Sequence, residues 1–381
     1  MKLLKTIMAL ALALCCALTA CSTTAQKAKE NKNKTTQVPT TTAKQSVATT
    51  SKAASDNKDK KDKETTAKNL EWKNIKLRNN LDKQKGLEIK YPEAVQKKYG
   101  KSLKLSKYPA KIVDLSTSSL ALMAKLNVKM AAVSRTVKTT KAAEYYKDVK
   151  DIESGMRGVD TEAVIALEPD LVIMSGGMKE KYGAQLEKLK IPVYYTSEGP
   201  LVNLAANQAE TEALAEAFGG SQAKEDVTAM YKAAEEACQN YAKAHASKKT
   251  AIMFGVGGKS IMLATSKSYF GTIIKMLGFE NAADAKDVKG SGILPSSLET
   301  LVQADPEVIF LIAPPTGYDP QSLLTAFTKA KNADKAVYEG IKAVKADKIV
   351  ALPGNYTTSR GLEIVPDLYH LCEILTEKLG K

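Results

Sequence analysis

The side chains here that could do chemistry are hydroxyls, arginines and acids placed just after short apolar runs. They do not form a catalytic trio. Only two histidines occur, His245 and His370, both in helical patterns. Neither has a serine or cysteine nucleophile beside it in a recognisable elbow, which argues against a hydrolase. Free zinc or manganese needs several histidine and carboxylate ligands together, and two separated histidines do not supply them. Gly257-Gly258-Lys259-Ser260 looks like the end of a phosphate-binding loop, but the first glycine of that motif falls at Met253. What remains is a set of residues that could contact a ligand. The candidates are Ser116, Thr117 and Ser118; Arg135; Ser175, Gly176 and Gly177; and Tyr195 and Thr196. Further along they are Gly255 to Gly258, Gly257 included; Pro314 to Tyr318; and Asn355, Tyr356 and Arg360. An arginine in such a set would grip a carboxylate with two parallel hydrogen bonds and a permanent charge.

These residues need elements that bring them to one place. Apolar runs at 111–115, 129–134, 170–174 and 191–195 predict strands, with helices over 120–126, 159–167 and 182–189 between them. A helix over 201–218 is followed by a long Ala/Lys/Glu-rich helical run at 222–246. The alternation then resumes with strands at 250–254, 307–312 and 349–352 and helices at 270–277, 297–304, 323–331 and 365–379. Near-continuous apolar strands separated by helices indicate parallel sheets covered on both faces. The expected fold class is α/β, two lobes each with a central mainly parallel sheet, bridged by one long interlobe α-helix. The expected boundaries are 69–220 for the first lobe, 221–247 for the bridging helix and 248–381 for the second lobe. Ligands of such sheets sit at the carboxyl ends of the strands, where the candidate residues fall.

The N-terminus carries a separate signal. Lys2 and Lys5 precede an apolar stretch at 7–18, too short for a bilayer span of about 20 residues and laid out like a secretory signal. Leu18-Thr19-Ala20-Cys21 resembles the lipobox of bacterial lipoproteins, in which the cysteine is acylated and the chain is cut before it. Residues 1–20 then read as signal peptide, with Cys21 as the lipidation site. Residues 21–68 read as the lipidated cysteine and a disordered linker, with almost no large apolar side chain to offset the entropy of ordering. This address is the extracytoplasmic face of the cell membrane. More than half of the formal net charge of +14 lies in the signal and the tail. No aromatic and basic residues alternate as they do where bases are stacked, so no nucleic-acid partner is expected. Of the five cysteines, Cys238 and Cys372 alone remain for the folded body. Their helical settings favour buried free thiols, and their pairing stays open. A monomer is expected.

Three stretches, in order, resemble the iron-complex class of ABC-transporter substrate-binding proteins, receptors for siderophores, haem and cobalamin. The first is Tyr99 to Leu105 with Tyr108 to Val113; the second is Asp160-Thr161-Glu162-Ala163-Val164-Ile165-Ala166-Leu167-Glu168-Pro169-Asp170-Leu171-Val172-Ile173. The third is Ser297-Leu298-Glu299-Thr300-Leu301 with Ala304-Asp305-Pro306-Glu307-Val308-Ile309. The resemblance implies a binding protein and not an enzyme. Its partners would be an ABC permease, the ATPase behind it, the membrane through the lipid anchor, and an iron complex. It also implies permease docking through Glu162 and Glu299, one at the start of a helix in each lobe. The bound ligand would be haem or a ferric siderophore, with no catalytic cofactor; alternatives are cobalamin, or an exported sensor or enzyme of the same shape. Met262 to Gly271 followed by Gly278-Phe279-Glu280-Asn281 is similar to Gram-positive haem-receptor lipoproteins. Those hold haem iron with a methionine, which here implies Met156, and with a histidine in a loop that here reads Ala313 to Tyr318 without one. Tyr318 is the alternative ligand in that loop.

Overall fold

A computed structural model of the chain describes residues 70–154, 158–197, 204–245, 248–254, 261–285, 292–312, 319–354, 356 and 359–380. Cys21, the tail, Met156, the glycine run with Gly257, Tyr318 and Asn355 lie outside the described residues. A two-stranded antiparallel ribbon comes first, β1 (Leu87–Lys90) and β2 (Ser102–Leu105). Leu87 and Ile89 are buried while Glu88 and Lys90 are exposed, the alternation of a strand with one wet face.

The first sheet is β3 (Ile112–Asp114), β4 (Ala132–Ser134), β5 (Asp151–Ile152), β6 (Leu171–Ser175) and β7 (Val193–Thr196). Its order is β5-β4-β3-β6-β7 and every pairing is parallel. Nearly every residue of these strands is buried, because helices cover both faces. The order reverses at β3, with β4 on one side and β6 on the other, so a crevice opens at the carboxyl ends of these strands. Helix α1 (Thr117–Lys125) leaves β3 with Ser116 as its N-cap, the Ser116 side chain accepting from the Ser118 N–H. The short helix α2 (Thr161–Ile165) is capped by Asp160.

Helix α3 (Leu204–Gly219) leads through Gly220, at φ +84°, into the 24-residue helix α4 (Ser221–Ala244). Its buried face is Ala223, Val227, Tyr231, Ala234, Cys238 and Tyr241, a spacing of three and four that matches one helical stripe. The second sheet contains β8 (Lys249–Phe254), β9 (Ile261–Ala264), β10 (Glu280–Asn281), β11 (Ile293–Ser296), β12 (Val308–Ile312) and β13 (Ile349–Leu352). The path is β11-β9-β8-β12-β13, with β10 beside β8. The pairs β8–β12, β12–β13 and β8–β10 are parallel, whereas β8–β9 and β9–β11 are antiparallel. The sheet is therefore mixed at one end. Pro295 is tolerated there because β11 is an edge strand, where a missing N–H breaks no inner ladder. Helix α5 (Leu298–Ala304) is capped by Ser297, and α6 (Ile364–Leu379) packs along α4. One hydrophobic core runs from Ile112 and Val172 through Tyr231 and Cys238 to Leu371 and Leu375. The described residues all fall in one compact unit. Among the described residues no helix is long and apolar enough to cross a membrane.

Candidate functional site

Every strand of the first sheet delivers a polar group to one cavity of about 340 Å³. Ser116, Thr117 and Ser118 follow β3, Thr136 follows β4, Ser154 follows β5, Ser175 ends β6, and Thr196 and Ser197 close β7. Asn207 and Glu210 enter from α3, Arg360 from the second lobe after β13, and Leu115 and Met178 complete the lining. Eight of these thirteen residues carry hydroxyls, with one carboxylate and one guanidinium among them.

The hydroxyls are wired together. Ser116 Oγ lies 2.8 Å from Ser118 Oγ and 2.9 Å from Thr196 Oγ1. Ser118 Oγ donates to Glu210 at 3.2 Å, and the Ser197 N–H donates to the other Glu210 oxygen at 2.5 Å. Burial pushes the Glu210 carboxyl above its ordinary range, against the pull of those two donors. Beneath the floor Asp114 accepts from the Ser116 N–H at 2.9 Å and from Ser119 Oγ at 2.7 Å. Complete burial pushes its carboxyl up to about 7 despite both donors. A second cluster joins Ser134, Thr136 and Ser154.

Arg360 is set by its own lobe. Its guanidinium lies over the Tyr269 ring at 3.4 Å and donates to the Ser359 carbonyl at 3.1 Å. Burial lowers the guanidinium's affinity for its proton, yet the group stays charged at any physiological pH. The segment carrying Arg360 also makes the seam between the lobes. Glu363 accepts the Lys141 N–H at 2.6 Å, and Lys141 Nζ pairs with Asp367 at 2.9 Å. Asp367 in turn accepts from Ser359 Oγ at 2.5 Å. The Tyr231 hydroxyl lies 2.8 Å from Asn207 Oδ1 and 2.7 Å from the Gly361 carbonyl.

The cavity thus gathers Ser116, Thr117, Ser118, Ser175, Thr196 and Arg360 from the residues singled out in the sequence. Arg135 is not in the lining. It is exposed and ion-paired to Glu153 at 2.6 Å and to Asp151 at 3.5 Å. Gly176 is buried where a Cβ would run into the Tyr99 hydroxyl, so close packing explains the glycine. Tyr195 points away from the cavity, stacking on Tyr99 at 5.2 Å and donating to Glu187 at 2.9 Å. Tyr356 is packed in the core. Met156, Gly257 and Tyr318 fall outside the described residues. Leu115, Thr136, Ser154, Met178, Ser197, Asn207 and Glu210 escaped the sequence reading. The signal for two of them was legible: Asn207, Glu210 and Thr211 are polar residues on the face of α3 that also carries Leu204 and Leu214. His245 stacks on Tyr241, and His370 pairs with Glu373 on the surface. Among the described residues no group of three His, Cys, Asp or Glu could hold a metal ion.

Glu162 and Glu299 are both exposed, each in the first turn of its helix. The Ser297 hydroxyl and the Glu299 N–H hold the Glu299 carboxyl below the usual range.

The model of the family described as periplasmic binding protein matches residues 112–356. The chain belongs to the periplasmic binding protein family. The family resemblance read from the ordered stretches is therefore borne out. Its members are extracytoplasmic substrate-binding proteins and not enzymes. The chain is 30% identical over 206 residues to the vitamin B12-binding protein of Vibrio campbellii, covering 52% of this chain and 70% of that protein. It is 26% identical over 243 residues to the high-affinity heme uptake system protein IsdE of Staphylococcus aureus, covering 64% of this chain and 78% of IsdE. The solved structure of the iron uptake ABC transporter substrate-binding protein PiuA of Streptococcus pneumoniae aligns with a TM-score of 0.59 at 24% identity. That alignment spans 78% of this chain and 100% of PiuA, and supports the two-lobe α/β fold.

Proposed function

We propose that this periplasmic binding protein is the substrate-binding lipoprotein of an ABC importer and that its cargo is a ferric siderophore. The observation that carries the cargo is the lining: eight hydroxyls, an amide, a carboxylate and an arginine in one cavity. A hydrogen-bonding wall of this kind complements an oxygen-rich, anionic chelate, with Arg360 of the second lobe pairing with its negative charge. Haem is the second reading. It is favoured by the likeness to IsdE, and by Met178 in the lining, since a thioether can ligate haem iron. In that reading Met156 and Tyr318 are further candidate ligands. Cobalamin is the third, on the likeness to the Vibrio protein.

Glu162 and Glu299 are the proposed contacts to the permease, which works with its ATPase. A lipid on Cys21 and the tail to residue 68 would hold the receptor beside that permease at high effective concentration. Anchoring of this kind takes two or more acyl chains to be firm. The test is radio-iron uptake by cells lacking this chain, supplied with ferric siderophores or haem as the iron source. Uptake from a ferric siderophore should collapse, and return with the intact chain more than with Cys21→Ser. Unchanged uptake from every source would sink the transport role.

A further inference from the structure

We propose that Cys238 and Cys372 close a disulfide once the chain is outside the cytoplasm, tying the helix between the lobes to the helix that follows the pocket arginine. The two residues are 134 positions apart, yet their sulfurs lie 3.5 Å from each other. Cys238 sits on the buried face of α4 and Cys372 on the buried face of α6, at 0% and 8% exposure. They are the two cysteines of the described residues, and both are buried. Nothing else claims them. Neither lines the cavity, and neither belongs to a metal-binding group among the described residues.

A disulfide needs the sulfurs at about 2.05 Å, so each must move by less than about 1 Å. Side-chain rotation between two packed helices can supply that. The chemistry balances by thiol–disulfide exchange. Two S–H bonds of the chain and the S–S bond of a dithiol–disulfide oxidant break, one S–S bond forms in the chain, and the two electrons and two protons end on the oxidant as two thiols, with no net proton release. The attacking species is a thiolate. In the folded protein the hydrogen bond to Cys372, with burial, raises the Cys238 thiol well above its ordinary range. Exchange is thereby suppressed once the helices have packed, so the bond closes during folding and is then protected. A chain folded in a reducing cytoplasm keeps its thiols, and the exported chain does not.

The consequence follows from what the two helices hold. Helix α4 supplies Tyr231, which touches Asn207 and Gly361, while α6 follows directly on the turn that carries Arg360. A bond between them fixes the base of the second lobe against the bridging helix. The inference rests on the extracytoplasmic placement of the family, not on the identity of the cargo.

The test uses the full chain recovered from cells that export it. It is denatured with an alkylating agent present, with and without prior reduction, and mapped by peptide mass. The expected result is no alkyl group on either cysteine without reductant, one on each after reduction, and a peptide joining the two. Alkylation of both cysteines without reductant overturns the proposal. A second arm needs no export: the reduced chain is unfolded and refolded in a glutathione disulfide buffer. It should yield the linked monomer, melting roughly 5 °C above the same sample in reductant. Mixed disulfides with glutathione on both cysteines, in place of the link, would equally overturn it.

Discussion

Gly361→Ala is the sharpest perturbation of the seam that holds Arg360 in place. Gly361 has φ +58°, a left-handed conformation that costs an alanine roughly 1–2 kcal/mol. Its missing side chain also matters. A Cβ there would collide with the carbonyl oxygen of Ser118 and sit 2.9 Å from the Ser118 carbonyl carbon. Those atoms are backbone at the start of α1, so they yield only if the turn and the helix part. Overpacking of this kind costs about 1–3 kcal/mol, giving a total of about 2–5 kcal/mol. For a folded body of roughly 310 residues the unfolding entropy is about 0.65 kcal/mol per degree, so the melting temperature should fall by about 3–8 °C. Amide exchange over residues 359–363 should accelerate in parallel. Gly361→Asn separates the two causes. Asparagine tolerates the left-handed region but still brings a Cβ, so it should recover only about 1 kcal/mol of the loss. Wild-type melting and exchange in Gly361→Asn would refute the close approach of the lobes at Ser118.

Other outcomes follow from the same contacts. Arg360→Met should weaken binding of a ferric siderophore roughly 10- to 150-fold, the worth of a charge-assisted hydrogen bond of about 1.5–3 kcal/mol; calorimetric titration checks it. Burial raises the Asp114 carboxyl to about 7, so the folded chain holds a proton that the unfolded chain releases near pH 4. That contribution to stability is present at the acid end and is lost as pH rises from about 4 to 7. Asp114→Asn should therefore gain stability relative to wild type across that window, on the order of a few kcal/mol by pH 8. Denaturant unfolding at pH 4.5 and 8 decides, and a pH-independent difference would contradict the cause given. Glu162→Ala with Glu299→Ala should abolish assembly with the permease while leaving cargo affinity unchanged; intact assembly in a pull-down would remove the docking role.

The alternation of apolar strands and helices made four strands of the first sheet legible, but not the two-residue β5, and the three- and four-residue spacing along α4 made the long helix legible. The mixed end of the second sheet was not. Ile261 to Ala264 and Ile293 to Ser296 are short, and Pro295 masks β11 as a strand. In the site, the rule that ligands meet the carboxyl ends of parallel strands found Ser116 to Ser118, Ser175, Thr196 and Arg360. It cannot tell adjacent residues on a strand apart, and side chains alternate in direction. Hence Thr196 reaches Ser116, while Tyr195 packs on Tyr99. Arg135 misled because its partners, Asp151 and Glu153, are brought to it only by the pairing of β4 with β5. Glu210 and Asn207 reach the cavity from within a helix, where a loop-based reading does not look.

Binding of a ferric chelate in the hydroxyl-lined cavity under Arg360 is tested by calorimetric titration of the chain with a ferric trihydroxamate, a ferric tricatecholate, hemin and cyanocobalamin, repeated with Arg360→Met. One of the ferric chelates should bind tightly, hemin and cyanocobalamin much more weakly, and removal of the arginine should cost the tight ligand roughly 10- to 150-fold in affinity. Tight binding of hemin with a Soret shift and no response to either ferric chelate, or a bound chelate indifferent to Arg360→Met, would contradict it.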